Sequence, residues 1–336
     1  MTLDTLATNL PRPGPLDDQA SRLRELVDQS GMAFKTSGRA LVPAREPAPH
    51  PGLQREAHVI AVASGKGGVG KTNISVNLAI AFAQQGCRAA LVDGDLGLGN
   101  ADVLCGLAPS AHCGHLLEGQ RSLQETLITA PGGFTLLPSG SGVDRLADLP
   151  APRRDALLRH LEAIGRAHDV MLIDCGAGIG SGVLAFLQAA DTILVVTTPE
   201  PTSLADAYAL IKCFARRHGA VDRGSIPPDR LLIVVNQVSD ADEAARVFAR
   251  IAAVCRRFLA VEPLLAGHVC TDSAVSVCVR ARRPFLLERP NTRASKCVRN
   301  LSVDLMDRFA LDRCAPERIR TGLAARILRF MHLNTA

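Results

Sequence analysis

The sequence SGKGGVGKT at residues 64–72 decides the fold of this chain. It follows an apolar, β-branched run from Val59 to Val62, and apolar residues at helical spacing come after it. A strand, a glycine-rich loop and a helix in this order are the context that gives the GxxxxGK[ST] spacing its meaning. The stretch therefore predicts a P-loop in a nucleotide-binding α/β domain. A plain glycine turn with a surface lysine is the disfavoured alternative.

The chemistry of this loop follows from its residue types. Glycines let successive N–H groups converge on a phosphate chain without Cβ clashes, and the start of the next helix adds its positive dipole end. Lys71 is expected to reach the β- and γ-phosphates, and the Thr72 hydroxyl is expected to ligate Mg²⁺. The predicted nucleotide-binding residues of the loop are Gly65, Lys66, Gly67, Gly68, Val69, Gly70, Lys71 and Thr72.

Lys66 is a second lysine that an ordinary P-loop does not need. The string GKGGVGKT resembles the signature of the deviant-Walker ATPases, the MinD/ParA family. The resemblance implies that Lys66 reaches the phosphates held by a second subunit, so that ATP bridges a homodimer. The alternative is that Lys66 supplies an additional cation within one monomer.

Two more predicted strands end in acidic residues. One leads into Asp93 and Asp95, and the other leads into Asp174, with Gly178 shortly after it. The carboxyl ends of strands in a doubly wound sheet face the ligand crevice, so these side chains are expected beside the P-loop. For the first pair, a capped turn is the alternative.

The family resemblance assigns roles to these residues. Asp95 is implied to orient the attacking water or to reach Mg²⁺ through water, and Asp93 to support the metal shell. Asp174 is implied to hold Mg²⁺ through a water, and the Gly178 N–H to sense the γ-phosphate. The implied catalytic set is Lys66, Lys71, Asp95 and Asp174, and the implied metal set is Thr72, Asp93, Asp95 and Asp174.

Two later stretches carry further matches. The predicted strand at residues 231–235 ends in Asn236, which resembles the residue that reads the adenine amine, so ATP is expected rather than GTP. PEPTSLADAYALIK at residues 199–212 resembles one MinD branch, FlhG, also called FleN or YlxH. The resemblance implies Asp206 as a contact across the dimer. A helix start capped by Ser203 is the alternative, and both interpretations are compatible.

Residues 1–57 are predicted to form a tail with a short helix at about 16–30 and a Pro-rich linker. The segment DQASRLR at residues 18–24 resembles the motif with which the FlhG branch stimulates the SRP-type GTPase FlhF. The implied contact residues are Asp18, Gln19, Ala20, Leu23 and Arg24, with Gln19 presented to the GTPase site. The alternative is an amphipathic helix that folds back on its own domain.

Residues 313–336 are predicted to contain an amphipathic membrane-targeting helix. Its apolar stripe is Ile319, Leu323, Ile327 and Phe330, and its basic residues include Arg326 and Arg329. This pattern is typical of a helix at an anionic membrane surface, and MinD-type proteins carry one at this place. Two such helices on one dimer would bind a membrane with avidity. The alternative is a C-terminal helix packed on its own domain.

Composition limits location and chemistry. The chain has 336 residues, 47% of them hydrophobic, and no apolar run long enough to span a bilayer. Its first residues, MTLDTLATNL, lack the pattern of a secretory signal, so a cytoplasmic protein at the inner membrane face is expected.

The ten cysteines of the chain include no C-x-x-C pair and are expected to be reduced and mostly buried. His112, Cys113 and His115 are too close in sequence to surround one metal ion readily.

These patterns predict a doubly wound, mostly parallel sheet of the P-loop type at residues 58–312. The expected activity is slow, switch-like ATP hydrolysis coupled to dimerisation, with ATP and Mg²⁺. The FlhG resemblance implies FlhF, a flagellar C-ring component and a FleQ-type transcription factor as partners. MinD-type positioning and DNA partition are the alternatives. Direct nucleic-acid binding is not expected, because the clearest basic cluster lies on the C-terminal helix. The lack of C-x-x-C argues against an iron–sulfur carrier.

Overall fold

The computed structural model describes residues 56–96, 99–140, 146, 148–222, 226–311 and 322–332. The predicted N-terminal helix and the DQASRLR motif at residues 18–24 lie outside these residues, as does Ile319. None of the helices in the described residues combines the length and the apolar composition that a membrane span requires.

A single sheet organises the described part of the chain. Its strands are β1 (His58–Ser64), β2 (Ala89–Asp93), β3 (Ile128–Thr129), β4 (Thr135–Leu137), β5 (Val170–Ala177), β6 (Thr192–Thr197), β7 (Leu231–Val238) and β8 (Leu264–Cys270). The spatial order is β3-β4-β2-β5-β1-β6-β7-β8. Every neighbouring pair is parallel except β3 with β4. The predicted doubly wound, mostly parallel architecture is confirmed.

Helices connect the strands and cover the sheet. They are α1 (Lys71–Gln84), α2 (Ala101–Leu104), α3 (Cys113–Leu117), α4 (Leu123–Thr126), α5 (Ala151–Ala167), α6 (Ser181–Ala189), α7 (Pro201–Asp222), α8 (Ala241–Leu259), α9 (Ser273–Arg280), α10 (Phe285–Glu288), α11 (Arg293–Phe309) and α12 (Leu323–His332). Each residue of β1 is buried, because helices pack on both faces of a parallel sheet. Two apolar clusters, one on each side, form the core.

The segment at residues 113–138 has only short helices and strands. It contains the short helices α3 and α4 and a β-hairpin. A capping box between Ser122 and Glu125 starts α4. Gly132 and Gly133 have φ of 93° and 91°, a conformation that favours glycine, and they turn β3 back onto β4.

The C-terminal helix α12 packs on the domain that precedes it. It begins at Leu323, and it lies against α5 and α6. Leu323 and Ile327 are buried in the same apolar cluster as Val59, Ala61 and Ala63 of β1. Two residues of the stripe predicted to face a membrane are therefore covered by protein in this structure. The arrangement corresponds to the alternative in which the helix docks on its own domain.

Candidate nucleotide-binding site

The P-loop joins β1 to α1 in a shape that requires glycine. Gly68 and Gly70 have φ of 82° and 86°, in the left-handed region where a side chain is strained. A Cβ on Gly65 would collide with the backbone of α7 at Asp206, and a Cβ on Gly70 would collide with the Asn236 side chain. The loop is therefore enclosed between α7 and the end of β7. The strand, loop and helix predicted from residues 59–81 are confirmed.

Lys71 is fixed at the centre of the site by a carboxylate on β5. Its Nζ lies 3.2 Å from Oδ1 of Asp174, and both side chains are buried. The Ser75 hydroxyl, one helical turn after Lys71, lies 3.0 Å from the same Asp174 oxygen. Asp174, which also accepts from Ser75, thus holds the Lys71 ammonium group directly beneath the loop, where a bound phosphate chain would need a positive charge.

Asp93 lies beside Asp174, because the two residues are paired across the parallel strands β2 and β5. Burial, reinforced by the charge of Asp174, raises the pKa of Asp93 to about 8. Its two oxygens accept hydrogen bonds from the N–H groups of Asp95 and Ala101. Asp93 thus closes the loop between β2 and α2, which is the capped turn considered above, and it brings a second carboxyl group to the Asp174 site.

Asp95 and Gly178 lie on the two loops that border this centre. The Asp95 carboxylate is half-buried and approaches Gly176 at the end of β5. Gly178, with φ of 90°, donates its N–H to the carbonyl of Ser64 at 2.9 Å. A contact between this N–H and a γ-phosphate requires that hydrogen bond to open.

Lys66 has a different environment from Lys71. Its Nζ donates to Oε2 of Glu200 at 2.6 Å and to the Thr202 hydroxyl at 2.9 Å. Its side chain is 30% exposed, and Glu200 is 63% exposed. The second lysine of the loop therefore points to the rim of the site, at the start of α7, and not to the Lys71 centre.

Asn236 connects the loop to β7. Its Nδ2 donates to the carbonyl of Val69 at 2.7 Å, and its Oδ1 accepts from the N–H of Gln237. The left-handed φ of 59° at Gln237 turns the chain away at this point. The carbonyl oxygen of Asn236 retains a second lone pair, which is what recognition of an adenine amine needs.

Asp206 is half-buried in α7, and its backbone lies against Gly65. The helix begins at Pro201, so Ser203 is inside the first turn and is not the N-cap. Ser203 Oγ instead accepts from the Thr198 N–H at the end of β6. The suggested capping role of Ser203 is wrong, because the helix starts earlier than the sequence indicated.

The donor set at the centre suits Mg²⁺. Hard cations prefer oxygen ligands. Asp93 and Asp174 are paired across neighbouring strands, Asp95 approaches the end of β5, and Thr72 follows Lys71 at the start of α1. The raised pKa of Asp93 reflects the cost of a second buried negative charge beside Asp174. A divalent cation would remove that cost, so the site fits the ion.

Comparison with known proteins places this site in a family. The model of a family described as an AAA domain matches residues 57–221. The antiactivator FleN of Pseudomonas aeruginosa is 38% identical over 244 residues, covering 73% of this chain and 84% of that protein. The flagellum site-determining protein YlxH of Helicobacter pylori is 31% identical over 276 residues, covering 81% and 90%. The chain belongs to the FleN/YlxH (FlhG) branch of the MinD/ParA ATPases. It is therefore an ATP-binding protein of a family of ATPases.

Solved structures agree on the fold of this MinD-like ATPase. The MinC:MinD cell division protein complex of Aquifex aeolicus has a chain that superposes with a TM-score of 0.57 at 24% identity. The superposition covers 78% of this chain and 99% of that one. MinD of Pyrococcus furiosus superposes with a TM-score of 0.59 at 20% identity, covering 76% and 99%.

The structure adds site residues that sequence analysis missed. Ser75 follows Lys71 by one helical turn, and this spacing was a signal that it shares the buried face of α1. Glu200 and Thr202 had no comparable signal, because only the fold brings α7 to the P-loop. The rings of His112 and His115 lie 3.9 Å apart between centroids with a tilt of 33°. The His112 Nδ1 accepts from the N–H of Gly114 as the cap of α3.

Proposed function

We propose that this ATPase is a switch that dimerises with ATP and Mg²⁺ and controls flagellar number or placement. In the dimer, Lys66 of each protomer contacts the phosphates bound by its partner, and Asp206 lies near the same interface. Mg²⁺ supplies charge neutralisation for the phosphates, and slow hydrolysis returns the chain to a monomer. The names of the FleN and YlxH relatives support the flagellar assignment.

The position of Lys66 is the observation that carries this proposal. One lysine, Lys71, already occupies the buried centre, so the loop does not need Lys66 there. Lys66 is held at the rim by an exposed ion pair with Glu200, and exposed pairs contribute only about 0–1 kcal/mol. A phosphate group presented by a second subunit can therefore replace Glu200 at little cost.

Light scattering with ATP tests the proposal directly. Lys66→Ala is expected to remain monomeric with ATP while still binding the nucleotide through Lys71. Glu200→Gln is the matched control, because it removes the partner of Lys66 in the monomer but keeps the ammonium group; it is expected to dimerise at least as well as the wild type. An ATP-dependent dimer of Lys66→Ala would contradict the bridging role.

We further propose that α12 is the membrane-binding element and that the cytoplasmic chain attaches to the inner membrane face only when this helix leaves the domain. The docked helix buries Leu323 and Ile327, the side chains that would enter a membrane. Burial of either residue contributes about 1.5–3 kcal/mol in both settings. Docking and membrane binding therefore compete for the same apolar face of α12. In a dimer, two such helices bind one membrane with avidity, and this additional affinity favours the membrane-bound state.

The N-terminal segment completes the proposal. Residues 18–24 bind and stimulate an FlhF-type GTPase, with Gln19 presented to its active site. A flagellar C-ring component and a FleQ-type transcription factor are the other proposed partners. A peptide of residues 1–35 is expected to stimulate the GTPase, whereas the same peptide with Gln19→Ala is not. Equal stimulation by both peptides would remove Gln19 from the mechanism.

A further inference from the structure

Three potential metal ligands from two distant parts of the chain meet at the edge of the sheet. His268 and Cys270 are two residues apart on β8, so both side chains project from one face of the strand. Cys297 comes from α11, which packs along β8. The ligand atoms of the three residues all lie within 4.8 Å of one another. This cluster differs from the nucleotide site in its ligand atoms. It offers sulfur and nitrogen, whereas the nucleotide site offers carboxylate oxygens.

The spacing of the two sulfur atoms fits a tetrahedral metal ion. The Sγ atoms of Cys270 and Cys297 are 3.7 Å apart. Two thiolates bound to tetrahedral Zn²⁺ at about 2.3 Å are separated by about 3.8 Å. A disulfide requires a sulfur–sulfur distance of about 2.05 Å. The observed spacing therefore suits a shared cation without a large movement of either cysteine.

The surroundings also suit such an ion. Arg293, at the first turn of α11, lies within hydrogen-bonding reach of the Cys270 sulfur and donates through Nη2 to the carbonyl of Ser239 at 2.6 Å. An N–H donor to a thiolate is a common way to orient a metal ligand.

We propose that His268, Cys270 and Cys297 form a Zn²⁺ site with three protein ligands and a fourth position open to solvent. The thiolate and imidazole set selects a thiophilic ion such as Zn²⁺ over Mg²⁺. The ion joins the edge strand β8 to α11. Val269, between the two strand ligands, is paired with Asn236, so the ion also stabilises the strand that borders the proposed adenine site.

The test uses the full-length, chemically reduced protein, freed of metal by a chelator and kept in excess Mg²⁺ to saturate the oxygen ligands of the nucleotide site. Titration with Co²⁺ is expected to give one tetrahedral, thiolate-ligated ion per chain, recognised by sulfur-to-cobalt charge transfer and intense visible bands. Zn²⁺ is expected to displace it stoichiometrically.

Three variants identify the ligands. Cys270→Ser, Cys297→Ser and His268→Gln are each expected to weaken Zn²⁺ binding by about 100-fold or more, since loss of an outer partner alone costs about 10–100-fold. Cys255→Ser, which removes a buried thiol of α8 outside the cluster, is expected to bind as the wild type does. If Cys270→Ser does not fold, the Zn²⁺ affinities of Cys297→Ser and His268→Gln test the proposal, because Cys297 and His268 are only half-buried.

Three results would overturn the proposal: no thiolate-to-cobalt band in the reduced wild type, unchanged Zn²⁺ affinity in Cys297→Ser, or a Cys270–Cys297 disulfide that forms in preference to metal binding. ATP binding measured on the same samples shows whether each variant keeps its fold.

Discussion

At each end of β1 a carboxylate of a neighbouring segment contacts a cation from a helix, and the two pairs differ in burial. At the carboxyl end, Asp174 binds Lys71, and Ser75 and Asp93 add to the same centre. At the amino end, Asp191 accepts from the Val59 N–H and from Nη1 of Arg326 in α12, the latter at 2.7 Å. The first pair has side chains 10% and 2% exposed, and the second 23% and 13%.

From this difference in exposure we predict that the Lys71–Asp174 pair stays in place, whereas α12 is held more weakly. Lys71 belongs to a helix whose residues 74–82 are all buried, so the helix that carries this charge is anchored in the core. Arg326 belongs to a short terminal helix whose Arg329 face is exposed. Four experiments, from the largest expected effect to the smallest, test this contrast.

The largest effect is expected from Lys71→Ala. The change removes the buried ammonium group that neutralises phosphate charge, and truncating one member of a buried charge pair costs about 2–5 kcal/mol or more. ATP affinity measured by calorimetry is expected to fall roughly 100-fold or more. Lys66→Ala, in the same loop, is the control and should retain most of the affinity. Comparable losses of ATP affinity in the two variants would show that Lys66 at the rim and Lys71 at the centre contribute equally to nucleotide binding.

Ile327→Ala is expected to release α12 without damage to the nucleotide site. Truncating a fully buried isoleucine costs about 2–5 kcal/mol. We expect this loss to weaken the packing of α12 on the domain, because Ile327 belongs to that short helix. Hydrogen exchange of residues 323–332 should accelerate while ATP affinity stays unchanged. Ala325→Ser, on the exposed side of the same helix, is the control and should exchange like the wild type. Simultaneous loss of ATP binding would show that the two ends of β1 are not independent.

Asp191→Asn is expected to loosen the helix more gently. An ion pair of this partial exposure contributes about 1–2 kcal/mol, between the surface and buried limits. Binding of the nucleotide-free chain to anionic phospholipid vesicles should therefore rise roughly tenfold in co-sedimentation. The control, Glu262→Gln, breaks an exposed ion pair with Arg256 near the end of α8 and should have no effect. Unchanged vesicle binding in Asp191→Asn would mean that Arg326 does not restrain the helix.

Asp93→Asn is expected to have the smallest effect at neutral pH, where the carboxyl group is already mainly protonated. Because its pKa rises from 3.8 to about 8 on folding, the folded state binds this proton more tightly than the unfolded state. The associated stability is full below the unfolded pKa and is lost as pH rises through the folded one.

Urea unfolding of the Mg²⁺-free protein between pH 3.8 and about 8 measures how the free energy of unfolding changes with pH. The wild type should lose stability with rising pH more steeply than Asp93→Asn. Asp304→Asn, at an exposed carboxylate of α11, should keep the wild-type slope. Equal slopes in all three proteins would show that Asp93 ionises freely in the folded state.

The predictions that succeeded rest on short-range patterns. The strands that lead into Asp93, Asp174 and Asn236 lie where the sequence predicted them, because apolar runs reflect burial directly. Lys71, Asp93 and Asp174 could be placed together because each follows a strand of one parallel sheet. The hairpin at residues 128–137 was missed because its strands are too short to show a period.

The sequence alone determined the P-loop, the sheet and the family, since these depend on residues that are neighbours along the chain or recur with the period of a strand or helix. Only the tertiary structure decided that Lys66 pairs with Glu200, that α12 covers its own domain, and that Cys297 meets His268 and Cys270. Each of these contacts joins segments far apart in sequence. Their formation depends on how helices pack against the sheet, and no local pattern records that packing.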